Sequence, residues 1–247
     1  MRTLYGLSQS PWTEKARWAL DHHAITYRYH EHTPLMGELL LRIKARNRPS
    51  GTKATVPLLV DDNEVLTSSL AIARHADKAA RGDKSLFPPE WDDEIARWAD
   101  VSDQIIGAGR ARVLAGLRTN RDAQLEALPG FLPDALRGAF APMAVTAASF
   151  LGSKYAVPWD SEAEVEKTLR PALDEVRRAL GGRPHLFRRF SFADVAIAAA
   201  LHAVRPWAKS PIGPATRTIW TNEALATHYA DLLAWRDAIY RSYRRAS

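Results

Sequence analysis

The sequence TVPLLVDDNEVLTSSLAI, residues 55–72, decides the fold. Two apolar runs flank the turn-forming residues 61–63, and this pattern predicts two short strands joined by a tight turn. Ser68 or Ser69 then precedes another apolar run, as an N-cap precedes a helix. Pro57 heads a strand although proline cannot donate to a ladder, which indicates a special turn and fits a cis bond. A kink, a hairpin and a helix N-terminus brought together can hold a peptide-like anion.

The rest of the first eighty residues alternates strand and helix patterns. A strand at residues 3–5, a helix at 11–22, a strand at 25–29 and a short helix at 34–43 precede the hairpin. With the helix that follows the hairpin, the order is βαβ–α–ββα. The sequence therefore predicts an α/β domain, a mixed sheet with helices packed on it.

The remainder of the chain shows only helical patterns. Residues 81–89 read as a linker, and helices are predicted at 91–117, 123–128, 133–151, 161–180, 192–204 and 222–243. Ser191 and Asp194 have the spacing of a capping box, to which we assign a structural role. We expect a first domain at residues 1–80, a linker at 81–89 and an all-α helical domain at 90–247.

Composition excludes several classes of protein. The 247 residues include no cysteine, which excludes disulfides, thiolate metal sites and a cysteine nucleophile. No uninterrupted apolar run reaches membrane-spanning length, and the N-terminus has no signal-peptide pattern, so we expect a cytoplasmic protein without a membrane partner. The net charge of +6 comes from scattered basic residues, concentrated only at 42–53 and 241–245. We interpret this charge as a solvated surface and expect no nucleic-acid partner.

Serines at two helix starts are the candidate site residues. Ser10 precedes Pro11 at the start of the first helix, where serine is a common N-cap. Its hydroxyl could instead face an anion at the helix N-terminus, and the two roles are compatible. Ser68 and Ser69 present the same choice: an N-cap, or a hydroxyl that holds a carboxylate together with the free N–H groups of the first turn.

Two further groups of polar residues give weaker signals. Four basic residues precede the hairpin, and we interpret most of them as a solvated rim, with Lys53 as the candidate partner of a second carboxylate. These are Lys44, Arg46, Arg48 and Lys53. Four histidines lie near the second strand without a carboxylate at supportive spacing, so we expect no metal site. These are His22, His23, His30 and His32.

Four motifs, in this order and spacing, resemble the cytosolic glutathione transferase family. They are Tyr5-Gly6 with Ser10-Pro11-Trp12 and Lys15-Ala16-Arg17, then Asn47-Arg48-Pro49-Ser50-Gly51, then residues 56–72, then Phe190-Ser191-Phe192-Ala193-Asp194. The resemblance spans nearly the whole chain. It is strongest in residues 1–80 and weak between 101 and 188.

The resemblance implies a thioredoxin-like N-terminal domain, an all-helical C-terminal domain, glutathione as co-substrate and a homodimer. It places Ser10 where serine-type members activate the glutathione thiol. It implies that the backbone of Val56 binds the cysteinyl group of glutathione, that Pro57 is cis, and that Ser68 and Ser69 hold the γ-glutamyl end.

The chain departs from the family pattern in three places. Ser68 stands where the family usually has Glu, Gln or Asp, residues 53–55 are an extra stretch, and the helical domain is enlarged around 129–155.

Our leading hypothesis is a glutathione transferase-like enzyme that conjugates the glutathione thiol to a small electrophile. The alternative is a non-catalytic glutathione-binding or ligand-carrying protein on the same fold. A nucleic-acid-binding module is a third interpretation, supported only by charge.

Overall fold

A computed structural model describes residues 2–62, 64–80, 84–158 and 160–244. The chain divides into two compact units. The first comprises Met1–Asp103, Arg177–Ala200 and Ala234–Ser247, and the second comprises Gln104–Val176 and Leu201–Leu233. The predicted turn residue Asn63, the linker residues 81–83 and the basic tail residue Arg245 lie outside the described residues. The expected domain boundaries remain a prediction.

The first unit contains a four-stranded mixed sheet in the order β2-β1-β3-β4. The strands are β1 (Thr3–Gly6), β2 (Arg28–Glu31), β3 (Leu58–Asp61) and β4 (Glu64–Leu66). Strand β2 runs parallel to β1, while β3 is antiparallel to both β1 and β4. The thioredoxin-like α/β prediction is confirmed, with a mostly helical remainder.

Helices α1 (Pro11–His22), α2 (Glu38–Lys44) and α3 (Ser69–Ala79) follow β1, β2 and β4. Helix α1 begins with a proline at its first position, where the missing N–H costs no hydrogen bond. It packs against α3 and against α9 (Phe192–Ala200). Every residue of α9 is buried, which explains why its sequence lacks an amphipathic period.

The predicted capping box is present at the start of α9. The Asp194 carboxylate accepts hydrogen bonds from the Ser191 N–H at 2.9 Å, the Ser191 hydroxyl at 3.2 Å and the Leu186 N–H at 2.9 Å. Burial raises the pKa of Asp194 to about 6, against the opposing effect of these donors. The side chain therefore ties the preceding loop to the buried helix.

The other helices are α4 (Asp92–Thr119), α5 (Arg121–Glu126), α6 (Asp134–Lys154), α7 (Ser161–Glu164), α8 (Arg170–Leu180), α10 (Pro214–Trp220), α11 (Glu223–His228) and α12 (Ala230–Tyr243). A π-helical turn, Val165–Leu169, joins α7 to α8. By length and composition, α6 is apolar enough to cross a membrane, a test that helices of soluble proteins also pass. The cytoplasmic location remains a prediction.

The corrections include a shifted strand, a broken helix and a helix that the sequence did not predict. Strand β2 spans 28–31 instead of 25–29, because the Ile25 N–H bonds to the Leu20 carbonyl and Ala24 has a φ of 52°. The predicted helix 222–243 is broken at Tyr229, whose buried ring is held by a 2.8 Å hydrogen bond from its hydroxyl to Asp174. Helix α10 was not predicted, because its proline start follows a proline- and glycine-rich stretch that reads as loop.

Candidate functional site

Strand register brings three segments to one edge of the sheet. Tyr5 pairs with Leu58, so the end of β1 lies beside the start of β3. Leu59 pairs with Leu66, so the end of β4 reaches the same edge. The segments that precede β3 and α3 also touch directly, because the Thr55 hydroxyl donates to a backbone carbonyl of residue 67 at 3.4 Å. The starts of α1 and α3 and the Val56–Pro57 peptide therefore meet in one region.

Ser68 caps the start of α3. Its hydroxyl oxygen accepts the Ala71 N–H at 3.1 Å, and its carbonyl accepts the Ile72 N–H at 3.0 Å. Ser69 is the first helical residue and is 5% exposed. Within the described residues its hydroxyl has no hydrogen-bond partner. This helix start combines the positive end of a dipole with a free hydroxyl, which suits a carboxylate.

Ser10 occupies the N-cap position of α1, but its side chain does not cap the helix. Its N–H bonds to the Leu7 carbonyl at 2.8 Å, and its carbonyl accepts the Glu14 N–H at 3.0 Å. The half-buried hydroxyl makes no hydrogen bond to another described residue. The predicted N-cap position is confirmed, but the side-chain cap is absent, so the hydroxyl is available to a ligand.

The Val56–Pro57 peptide bond is cis, as the resemblance implies. Val56 is half-buried and Pro57 is buried at the start of β3. Lys53 is exposed three residues earlier and makes no hydrogen bond or ion pair with the other described candidate residues. Arg48 is not part of a solvated rim, because its guanidinium donates to the carbonyls of Thr52 at 2.7 Å and Ala45 at 3.1 Å.

Sequence reasoning missed a buried lysine one turn beyond Ser10. Lys15 is fully buried and donates to the Ser102 hydroxyl at 2.9 Å and to the Asp103 carboxylate at 2.5 Å. The indole N–H of Trp12 donates to the same Asp103 oxygen at 2.8 Å. Burial lowers the pKa of Lys15, and the Asp103 charge opposes that effect. Trp12 and Lys15 are three residues apart, so the sequence indicates that they share a helix face, but it does not indicate that Asp103 lies against that face.

The loop between β1 and α1 is held by a second missed residue, Glu31. Its carboxylate accepts the N–H of Ser8 at 3.0 Å, the hydroxyl of Ser8 at 3.3 Å and the hydroxyl of Tyr29 at 2.8 Å. Burial and the neighbouring Glu31 charge raise the pKa of Tyr29, which keeps its hydroxyl protonated as a donor. These bonds fix the approach to Ser10.

Two of the four histidines near the second strand lie close to carboxylates. His23 lies 3.0 Å from Asp77 and His32 lies 3.4 Å from Glu38. The described part of the chain contains no group of three or more metal-ligating side chains.

Comparison with known families identifies the domain that contains these candidate residues. Residues 4–84 match the family model described as the glutathione S-transferase N-terminal domain. The chain carries the N-terminal domain of the glutathione S-transferase family. The match covers all of β1 except its first residue, β2 to β4, α1 to α3 and every candidate glutathione-binding residue. No curated protein matches this glutathione S-transferase-like chain.

Solved structures share the fold at low identity. A glutathione S-transferase of Ceriporiopsis subvermispora in complex with glutathione has a TM-score of 0.64 and 17% identity, with 100% of this chain and 98% of that chain covered. One of Methylobacillus flagellatus with glutathione bound has a TM-score of 0.58 and 17% identity, covering 98% and 95%. A theta-class enzyme of Xanthomonas axonopodis pv. citri with glutathione bound has a TM-score of 0.52 and 22% identity, covering 99% and 98%.

Proposed function

We propose that this protein binds glutathione against its first domain and conjugates the glutathione thiol to a small electrophile. The observation that carries the proposal is the meeting of the starts of α1 and α3 with the cis Val56–Pro57 peptide at one sheet edge. The uncapped Ser10 hydroxyl is the group best suited to the thiolate. Ser68, Ser69 and the α3 amides would hold the γ-glutamyl carboxylate.

In the proposed step, the Ser10 hydroxyl and the positive end of α1 stabilise the glutathione thiolate. The sulfur forms a bond to an electrophilic carbon, the leaving group departs with its electron pair, and the thiol proton passes to water. A free thiol has a pKa of about 8.5, so about 3% is ionised at pH 7. Lowering that pKa to about 6.5 raises the thiolate about 25-fold, while each thiolate becomes about tenfold less nucleophilic. Positioning of the electrophile must then supply most of the acceleration.

The test compares Ser10→Ala with wild type in pH–rate profiles, using glutathione and an activated aryl halide. We expect Ser10→Ala to lose far more activity at pH 6.5 than at pH 9, where the thiol ionises unaided, with little change in glutathione affinity. Ser149→Ala, which removes an exposed hydroxyl on α6, is the matched control and should follow wild type. Parallel profiles for wild type and Ser10→Ala would remove Ser10 from the mechanism.

A non-catalytic glutathione-binding or ligand-carrying protein is the second candidate. Ser68 supplies no carboxylate, and its only side-chain oxygen already accepts the Ala71 N–H. We therefore expect weak affinity, with a dissociation constant on the order of 0.1 mM to a few mM, or about −4 to −5.5 kcal/mol. Calorimetric binding without turnover of any aryl halide would favour this candidate, and absence of binding at saturating glutathione would contradict both.

We also propose that the protein is a cytoplasmic homodimer, on the family resemblance. Light scattering at micromolar concentration should then give twice the chain mass of 27.5 kDa. A mass of one chain would reject the dimer without affecting the proposed chemistry.

A further inference from the structure

A groove separate from the glutathione-binding candidates opens on the first unit, with a volume of about 520 Å³. It lies where the end of α1, the segment after α3, the loop between α8 and α9 and the end of α12 come together. None of the residues that line it is a glutathione-binding candidate. The volume lies in the range of small-molecule sites. We call it the basic aromatic groove, lined chiefly by His22, Lys84, Arg188, Arg189, Phe190 and Tyr243.

Aromatic rings form its apolar wall. Phe190 and Tyr243 stack with ring centroids 3.9 Å apart and planes 5° from parallel. The His22 ring lies 5.8 Å from Phe190, and the His185 ring lies 5.5 Å from Tyr243 with its Nε2 2.9 Å from the phenol oxygen. Burial lowers the pKa of His185, which favours its neutral ring near pH 7. The groove thus offers edges and faces of rings to a flat ligand.

Three exposed cations stand on the rim: Lys84, Arg188 and Arg189. Within the described residues none of them pairs with a carboxylate. Arg244 at the end of α12 differs, because it is bound to Glu14 and Asp21 at 2.7 Å each. The three cations that line the groove are therefore available to a ligand.

Among the described residues, the neighbouring carboxylate of Asp77 is already engaged. Asp77 accepts the Ser85 hydroxyl at 2.7 Å and the Leu86 N–H at 2.6 Å, and pairs with His23 at 3.0 Å. The C-terminal ends of α1 and α12 contribute about half a negative charge each at most. Three full positive charges exceed that sum, so the groove attracts anions.

We propose that the basic aromatic groove binds a small aromatic anion, with its ring against Phe190 and Tyr243 and its anionic group between Arg188 and Arg189. The planar fork of arginine matches phosphate, sulfonate and carboxylate oxygens. The ring supplies apolar burial that a bare inorganic ion lacks. The proposal assigns a second ligand site that does not depend on glutathione binding.

Calorimetry with saturating glutathione present tests the proposal with four probes: 1-naphthyl phosphate, naphthalene-1-sulfonate, neutral 1-naphthol and inorganic phosphate. We expect both aromatic anions to bind and the other two to bind at least tenfold more weakly. A preference between phosphate and sulfonate identifies the anionic group. Raising the salt from about 0.05 to 0.5 M should weaken binding of the anions several-fold, because exposed charges are screened.

Variants locate the site. Arg188→Gln combined with Arg189→Gln should weaken naphthyl phosphate at least tenfold. Arg28→Gln combined with Arg178→Gln removes the same charge from exposed arginines outside the groove and should stay within twofold of wild type. Tyr243→Leu should weaken the naphthyl anions and leave inorganic phosphate unchanged.

Three results would overturn the proposal. They are wild-type affinity in the Arg188 and Arg189 double variant, equal affinity for neutral 1-naphthol, and no binding of either aromatic anion at millimolar concentration. Because the substituted arginines are exposed, melting curves of both double variants should overlay wild type, and loss of binding then reports on the groove. Competition by glutathione would move the anion to the glutathione site and would also contradict the proposal.

Discussion

Asp103→Asn should destabilise the protein more than removal of the buried lysine that it binds. The Lys15 ammonium is fully buried, while the Asp103 side chain is 51% exposed. Replacing the carboxylate by an amide removes the negative charge of the ion pair and leaves the buried ammonium with only neutral acceptors, one of which is the Ser102 hydroxyl. A hydrogen bond to a charged group contributes about 1.5–3 kcal/mol, so we expect a loss in that range at pH 7. For a chain of this size, the melting temperature should fall by about 3–12 °C.

Lys15→Met should cost little or stabilise, because it removes the desolvated charge and leaves the partners satisfied. The Ser102 hydroxyl still donates to the Ala99 carbonyl at 2.6 Å, and Asp103 keeps the Trp12 indole N–H. In the Lys15→Met background, Asp103→Asn should then lose most of its effect. The two single variants and the double variant form a cycle that isolates the pair.

The pH dependence has a definite sign. The pKa of Lys15 is lower in the folded protein than its ordinary value of 10.5, so the unfolded chain binds more protons between the two values. The free energy of unfolding of the wild type should therefore rise with pH across that window, and this rise should be absent in Lys15→Met. Urea unfolding at several pH values measures it, with Glu94→Gln, which changes an exposed carboxylate on the same helix, as control. Equal losses in Asp103→Asn and Glu94→Gln, or a larger loss in Lys15→Met, would refute the reasoning.

Two other changes have expected outcomes. Ser68→Asp keeps an oxygen for the Ala71 N–H and adds a carboxylate that can pair with the ammonium of the γ-glutamyl group, so glutathione affinity measured by calorimetry should rise about three- to tenfold, while Ser68→Asn should stay within twofold of wild type; no gain with Asp would contradict the assignment of Ser68 to the γ-glutamyl end. Asp194→Asn should cost about 1–3 kcal/mol at pH 7, because an amide cannot accept all three donors. The pKa of Asp194 is raised to about 6 in the folded protein, so the stability that comes from its bound proton is present below about pH 4 and is lost as the pH rises through 6. If chemical unfolding shows the same dependence of stability on pH in Asp194→Asn as in wild type, Asp194 is not the cause of that dependence.

Local signals in the sequence were sufficient for the elements that build the candidate site. The apolar runs around Asp61 and Asp62 predict the β3–β4 hairpin, and Ser68 predicts the start of α3, because turn and cap preferences act over a few residues. The strand after α1 was placed too early, since nothing in the sequence indicates that Ile25 bonds back to α1. The break at Tyr229 depends on Asp174, 55 residues away, and tertiary contacts of that kind leave no periodic pattern.

The Lys15 network shows the same limit within the site. Lys15 and Asp103 are 88 residues apart, and a lysine near the start of an amphipathic helix ordinarily indicates an exposed face. Ser10 is a candidate from its position at a helix start and Pro57 from its place at the head of a strand, while the backbone role of Val56 comes only from the resemblance to a family. Whether a hydroxyl caps its helix depends on side-chain geometry, which the sequence does not specify.

The strand register described above determines where the chain tolerates changes in length. The extra residues 53–55 precede β3, so they leave the pairing of Tyr5 with Leu58 unchanged. One residue inserted within β3 would instead exchange the two sheet faces on which Leu58 and Leu59, both buried, are packed, and would separate the three segments that meet at the sheet edge. Insertions and deletions should therefore accumulate among relatives before residue 55, while the eleven residues from Val56 to Leu66 keep a fixed length.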